Sequence, residues 1–318
     1  MEFRQLRHFV AVVECGNLSR ASRKVHLSQP ALTRSIKSLE DMLRARLLDR
    51  KPRGVVPTPA GALFYQHAKL ILNECQRARE DVAGVESGAM GQVNIGIGAM
   101  FAAAIMDDVV AQVTEKHPKL QLSVTEGFFE DLVEQMRDGR IDALFTNFPV
   151  SSTANDLSLE PLLTVTAVTA ISARHPLARK RNLTPTDLLD ARWVVVNQPH
   201  VSESYAHLFA KDGLPLPVTT TRTNSLSLIK SLVQHHGFIS FLPIHLIAPE
   251  LKRGELVLLK LPGGRIDRPA GLILRNAVPV RAALGVVLAE IRARCAGEQQ
   301  LHMALDPSRP RRGYASRA

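Results

Sequence analysis

Ser28, Gln29, Pro30, Thr33, Arg34 and Lys37 form a short run of polar and basic side chains with the chemistry of base reading. On a helix advancing about 100° per residue, Pro30, Thr33, Arg34 and Lys37 share one side, with Gln29 at the tip. Arginine can make paired hydrogen bonds to guanine and glutamine to adenine, while threonine and lysine reach base edges or phosphates. The segment from Leu47 to Thr58 then reads as two short strands around a basic turn holding Arg50, Lys51 and Arg53, a wing able to lie along a phosphate backbone. Other candidate chemistry fails on spacing. Gly96-x-Gly98 has Phe101 where a dinucleotide fingerprint needs its third glycine, and Glu126 is a poor match for the ribose-binding acid. His235 and His236 are adjacent, so their imidazoles point to different faces of a helix and lack a third metal ligand. No Gly-x-Ser-x-Gly elbow occurs, and Cys15, Cys75 and Cys295 are too far apart for a metal or redox pair. The expectation is a protein that is not an enzyme and has no metal or cofactor.

The elements that must hold the basic face can be read from apolar spacing. Leu6, Phe9, Val10 and Val13 mark a first helix ending near Gly16, and Leu18, Ala21, Ser22 and Val25 mark a short second one. After a turn at His26 and Leu27, Ser28 is a natural N-cap and Pro30 fits the first turn, where its missing N–H costs nothing. The third helix buries Leu32, Ile36, Leu39 and Leu43. Two short helices joined by a tight turn, the second presenting Gln, Thr, Arg and Lys, suit a DNA major groove. Charge agrees. Residues 1–58 hold twelve basic and five acidic side chains, whereas 93–300 hold 21 and 20, within a net charge of +10. A basic nucleic-acid module is attached to a nearly neutral remainder.

Three further regions follow. From Thr58 to about Glu86 a long helix is allowed, and Phe64, Ala68, Ile71, Cys75, Ala78, Val82 and Val85 keep the alternating spacing of a coiled-coil seam, which predicts self-pairing. After a hinge at Ser87-Gly88-Ala89-Met90-Gly91, strands and helices alternate. Val93–Gly98, 101–116, Leu120–Thr125, 129–138 and Ile141–Thr146 read as a βαβαβ half. A second half runs from about Thr164 to Arg268, with strands near Val165–Ser172, Trp193–Asn197, Val218–Thr221 and Phe238–Pro243. The segment Arg268–Leu274 and the helix after Pro279 return to the first lobe. Ligands of such sheets bind beyond the carboxyl ends of strands, which selects Met100, Phe101, Thr146, Asn147, Asn197, Gln198, Ser202, Thr223, Asn224 and Ser225 as effector contacts. Each of them has a competing reading as a cap or turn residue. Apolar Gly98-Ala99-Met100-Phe101 suggests an effector with a sizeable apolar part. The tail 301–318, with Arg309, Arg311, Arg312 and Arg317, reads as a basic disordered extension.

The residues Leu6-x-x-Phe9, Ser28-Gln29-Pro30-Ala31-Leu32-Thr33-Arg34, Ile36-x-x-Leu39-Glu40 and Thr58-Pro59-Ala60-Gly61 resemble the LysR-type transcriptional regulators. Weaker motifs, Gly139-Arg140-Ile141-Asp142-Ala143, His175-Pro176-Leu177-Ala178 and Leu232-x-x-x-x-Gly237 through Pro243, extend the likeness to about residue 296. Arg44 stands where that family usually has a helix-ending glycine, and Leu48 replaces a usual Phe. The resemblance implies an α/β protein with a winged helix-turn-helix (1–58), a linker and dimerisation helix (59–87) pairing antiparallel, and a two-lobed, periplasmic-binding-protein-like (type 2) effector domain (88–300). Its lobe I is about 92–163 with 269–296, and its lobe II about 164–268. The expected partners are double-stranded promoter DNA, a small-molecule effector, further copies of the chain as homodimer and tetramer, and RNA polymerase, with no membrane. The alternative is a DNA-binding regulator or architectural protein without an effector. The first residues lack the apolar core of a secretory signal and no apolar run has membrane length, so a cytoplasmic location is expected.

Overall fold

The computed structural model describes residues 1–52, 54–87, 91–148, 156–197, 199–276 and 278–305. Its elements are α1 (Phe3–Cys15), α2 (Leu18–Lys24), α3 (Gln29–Leu43), β1 (Leu48–Lys51), β2 (Gly54–Pro57), α4 (Pro59–Ser87), β3 (Gln92–Gly98), α5 (Asp107–Lys116), β4 (Gln121–Gly127), α6 (Phe129–Arg137) and β5 (Ala143–Asn147). There follow β6 (Leu157–Ser172), β7 (Trp193–Val196), α7 (Pro199–Ala210), β8 (Thr220–Thr223), α8 (Leu226–His236), β9 (Ser240–Pro243), α9 (Ile244–Lys252), β10 (Leu256–Leu258), β11 (Arg265–Arg275) and α10 (Ala282–Leu305). The chain divides into two compact units. One comprises Met1–Asn94, Lys119–Ser123 and Glu130–Asp142, the other Ile95–Pro118, Val124–Phe129 and the chain from Ala143 on.

In the first unit, α1 to α3 and the β1-β2 hairpin close over one core of Leu6, Phe9, Val12, Ala21, Leu32, Leu39 and Leu47. That core does not stop at residue 58. Ala68 of α4 is fully buried in it, and Phe64, Tyr65 and Leu72 pack against it, with the Phe64 ring 5.2 Å from that of Phe9. Close backbone approach explains two glycines. A Cβ on Gly61 would collide with the Leu47 carbonyl, and one on Gly54, at φ 138°, would collide with that of Gly16, which accepts the Val55 N–H at 2.8 Å. Leu43, expected in the core, is 37% exposed because α3 ends there.

The second unit is built on a sheet ordered β10-β6-β11-β5-β3-β4, with β9 also paired to β6. The parallel pairing of β3 with β5 (Ile97↔Phe145) fits the expected βαβαβ half, and β7 and β8 form a separate parallel pair. The crossings are made by β6 and β11, antiparallel from Arg275↔Leu157 to Arg265↔Val168. β6 starts earlier than expected, at Leu157, despite Pro161 within it. The register shifts at Ala270/Gly271, opposite that proline, and a Cβ on Gly271 would run into the Glu160 carbonyl, so a glycine-lined bulge absorbs the residue that cannot donate.

Other expectations are corrected. The helix expected at 101–116 becomes a tight 3-10 turn (Ala99–Phe101), a wider π turn (Ala102–Met106) and then α5. The strand expected at Val218–Thr221 is displaced to Thr220–Thr223, with Val218 98% exposed, and the one at Phe238–Pro243 begins at Ser240 after the left-handed cap Gly237. Three-residue β10 had no sequence signal. The tail expected from 301 is helical to Leu305, while residues 306–318, and 88–90 of the expected hinge, lie outside the described residues. Among the described residues no helix is long and apolar enough to cross a membrane.

Candidate nucleic-acid interface and effector site

Helix α3 starts as its sequence requires. Ser28 accepts the Ala31 N–H on its hydroxyl, Pro30 occupies the first turn, and burial of Leu32, Ile36 and Leu39 leaves Gln29, Pro30, Arg34 and Lys37 exposed and Thr33 half-buried. The Ser19 hydroxyl donates to Gln29 Oε1 at 2.9 Å, orienting the carboxamide from α2. Between α3 and the hairpin lies a groove of about 620 Å³ whose lining includes Thr33, Lys37, Arg44, Arg46 and Arg50. Glu40, also on this groove, accepts the N–H groups of Leu47 (2.7 Å) and Leu48 (3.1 Å), so its carboxylate is spent on anchoring the first wing strand.

Arg44 and Arg46 were not among the sequence-selected residues. Arg44 caps α3 in the left-handed region at φ 51°, ψ 35°, strained for a residue with a Cβ, and lines the groove. The available signal was its own oddity, a cation where a glycine would relax the backbone. Arg50 and Lys51 are exposed on β1, and Arg53 lies outside the described residues. Thr58, expected at the DNA surface, is committed elsewhere. Its hydroxyl donates to the Arg46 carbonyl at 2.7 Å and accepts the Gly61 N–H at 3.0 Å, which fixes the entry to α4.

The predicted seam of α4 is divided. Phe64 and Ala68 turn into the winged-helix core and Cys75 is half-buried, whereas Ile71 (38%), Ala78 and Val82 (65%) remain exposed, joined by Leu63 (60%). The side chain of Val85 lies outside the described residues.

In the second unit the candidate effector residues fall into two groups. Met100, Thr146 and Asn147 meet at the ends of β3 and β5. The Asn147 amide donates to Met100 Sδ at 3.1 Å, its Oδ1 is buried without a hydrogen bond, and Thr146 lies over Gly98, where a Cβ would stand 2.6 Å from its hydroxyl. Phe101, expected as an effector contact, is 1% exposed and sits edge to face on Phe145 at 4.9 Å, so its ring belongs to the core. His245, near the start of α9, was missed. Its Nε2–H donates to the Met100 carbonyl at 2.9 Å and its ring lies nearly parallel to that of Phe101. No spacing rule joins residues 145 positions apart.

The second group, Asn197, Thr223, Asn224 and Ser225, collects at the ends of the parallel pair β7-β8. The Asn197 N–H bonds the Thr223 carbonyl at 2.9 Å, Thr223 Oγ1 accepts the Ser225 N–H, and the Ser225 hydroxyl accepts that of Leu228 as the α8 N-cap. Capping is thus the observed use of Ser225. Gln198 and the side chain of Ser202 lie outside the described residues. A larger concavity of about 1070 Å³, lined by His175, Arg192 and Arg253 among others, contains none of these candidates. There burial, then Arg192, hold the His175 imidazole below its ordinary pKa.

Comparison with known proteins gives the arrangement a family context. Residues 3–62 match the family model for the bacterial regulatory helix-turn-helix protein, lysR family, and 86–296 match the LysR substrate binding domain. A Pseudomonas sp. SDS degradation transcriptional activation protein is 30% identical over 279 residues, covering 86% of this chain and 90% of that one. The DNA-binding transcriptional dual regulator OxyR of Escherichia coli K12 is 27% identical, covering 93% of this chain and 97% of OxyR. Full-length CbnR complexed with its target DNA superposes with a TM-score of 0.64 at 21% identity, covering 92% of this chain and all of that one.

Proposed function

This chain belongs to the LysR family of DNA-binding transcriptional regulators, and on that premise we propose that α3 reads promoter bases through Gln29, Thr33, Arg34 and Lys37. Ser28, Arg44, Arg46, Arg50 and Lys51 hold the flanking phosphates. The observation that carries this assignment is the basic groove between α3 and the wing. None of its arginines or lysines is engaged by an acidic side chain among the described residues, so all of them are available to a polyanion.

Two chains pair through the exposed apolar edge of α4 formed by Leu63, Ile71, Ala78 and Val82, dimers join as tetramers, and RNA polymerase is the downstream partner. The effector seats against Met100, Asn147 and His245, with Asn197 and Asn224 at the other strand ends. It has an apolar body for the methionine and a hydrogen-bond donor for the buried Asn147 oxygen. The chain works in the cytoplasm as a regulator and not as an enzyme, without metal or cofactor. Regulators matched over nearly their whole length support the regulatory part of that reading.

The test is selection of duplexes from a randomised pool by the full chain, followed by footprinting with and without metabolites that raise its Tm. One enriched motif whose binding weakens steeply with salt is expected. Binding without sequence preference overturns the base-reading assignment, and a footprint that no Tm-raising metabolite alters favours a regulator without an effector.

A further inference from the structure

Helix α4 has a polar face that neither the winged-helix core nor its exposed apolar edge uses. Lys69, Asn73 and Arg77 recur every four residues, so their side chains leave the helix in one row. All three engage the turn that follows α6. Lys69 Nζ lies 3.4 Å from Asp138 Oδ2 and 3.4 Å from Glu14 Oε1, and the Asn73 amide donates to the Asp138 carbonyl at 2.5 Å. Arg77 Nη1 is 3.0 Å from Asp142 Oδ1. The Asp142 side chain is only 4% exposed, and its other oxygen accepts the Asn94 N–H at 2.8 Å. Between the two aspartates, Gly139 at φ +75° brings the turn close to the helix. A Cβ there would stand 3.1 Å from Leu70 Cδ1 and 3.4 Å from Asn73 Cβ.

Stability alone does not call for charges here, since apolar groups of similar volume stabilise a buried contact as well or better. Ion pairs add registry. Lys69 fits Asp138 and Arg77 fits Asp142 in one alignment of helix and turn, and sliding α4 by one turn takes both cations from their aspartates, leaving Asp138 to Arg140 of its own turn (3.1 Å) and Arg77 to Glu74 of its own helix (3.2 Å). The two sides also belong to different parts of the regulator. Glu14 sits on α1 of the winged helix, whereas residues 130–142 fall within the matched substrate-binding domain and lead directly into β5, which ends at Thr146 and Asn147.

We infer that Lys69 and Arg77 are positioning residues for DNA recognition. Through Asp138 and Asp142 they lock the register of α4 on the 138–142 turn, and that register sets the spacing at which a paired protein accepts two DNA half-sites. The inference rests on the pairing of chains proposed above and is independent of the effector assignment.

The test uses the full chain and duplexes in which two copies of its selected half-site are separated by variable spacers. In the Lys69→Met and Arg77→Met proteins, preference for the best spacing over its neighbours should fall about fivefold or more. Affinity for a single half-site should stay unchanged, and Lys69→Arg and Arg77→Lys should restore the preference. If Arg77→Met does not fold, the Lys69→Met and Lys69→Arg pair decides. Folded Met variants with the wild-type spacing preference overturn the inference, as does a parallel loss of single-site affinity, which would mark a merely structural role. A chain that sediments as a monomer removes the pairing reading and this inference together. A dimer with unaltered spacing preference removes this inference alone.

Discussion

The exposed face of α3 and the strand ends of the second unit both gather short polar side chains near helix starts, but they dispose of their hydrogen bonds differently. On α3, Arg34 and Lys37 are exposed and unengaged by acidic groups, and only Ser28 and Gln29 are held by neighbours. At the strand ends the chain satisfies itself. Ser225 caps α8, Asn147 donates to a thioether, and His245 donates to the Met100 carbonyl. A rigid, polyanionic partner can be met by a surface built in advance, whereas a small ligand must first displace internal contacts, which lowers its affinity in proportion to how rarely the open state forms.

The predictions probe that contrast, beginning where groups are most internally committed. Asp142→Ala should cost about 3 kcal/mol in denaturant unfolding, because it leaves the buried guanidinium of Arg77 with only the more exposed carboxylate of Glu74 and takes the acceptor from the Asn94 N–H. A loss below 1 kcal/mol would mean that water already reaches the pair. Arg34→Ala should leave Tm nearly unchanged yet cost about 1 to 3 kcal/mol at one base pair of the selected motif, whereas Lys51→Ala should weaken all duplexes alike and flatten the salt dependence. Equal losses on specific and random DNA for Arg34 would show that the exposed face does not read sequence. Arg44→Gly should split the two properties, gaining about 0.5 to 1 kcal/mol of stability by relieving the left-handed cap while lowering the salt slope by about one unit.

The smallest effect concerns His8, whose ring contacts the Ser35 hydroxyl at 2.8 Å. Burial, then Arg7 and Arg4, lower its pKa from the ordinary 6.5, so the unfolded chain takes up the proton first. This contribution to stability is complete above pH 6.5 and declines as pH falls from there toward the folded value. A His8→Gln protein should lose that part of the acid sensitivity in Tm measured from pH 8 to about pH 5.

The DNA-reading half was legible because its signals are local. A serine cap, a proline in the first turn and apolar residues at helical spacing fix α3 within one stretch of chain. The seam of α4 was misjudged at Phe64 and Ala68 because spacing tells that a stripe is buried but not against what, and here it is buried by Phe9 and its neighbours. Lys69, Asn73 and Arg77 gave no signal of their contact with the 138–142 turn, since Asp138 and Asp142 lie 65 residues or more away along the chain. The early start of β6 was hidden by Pro161, which sits at a bulge in β6 opposite Gly271 of β11. At the strand ends the sheet rule located Thr146 and Asn147 but could not foresee that Phe101 would be drawn into the core, which depends on where Phe145 lies.

The seating of α4 on the winged helix bears on how the chain can be cut. A fragment ending at Thr58 would keep every side chain proposed to contact DNA and lose Ala68, which is wholly enclosed, along with the covering Phe64, Tyr65 and Leu72. It would expose the apolar floor beneath Phe9 and invite aggregation. An autonomous reading head therefore ends no earlier than Leu72, and any transplant of this specificity to another scaffold must carry the first half of α4 with it.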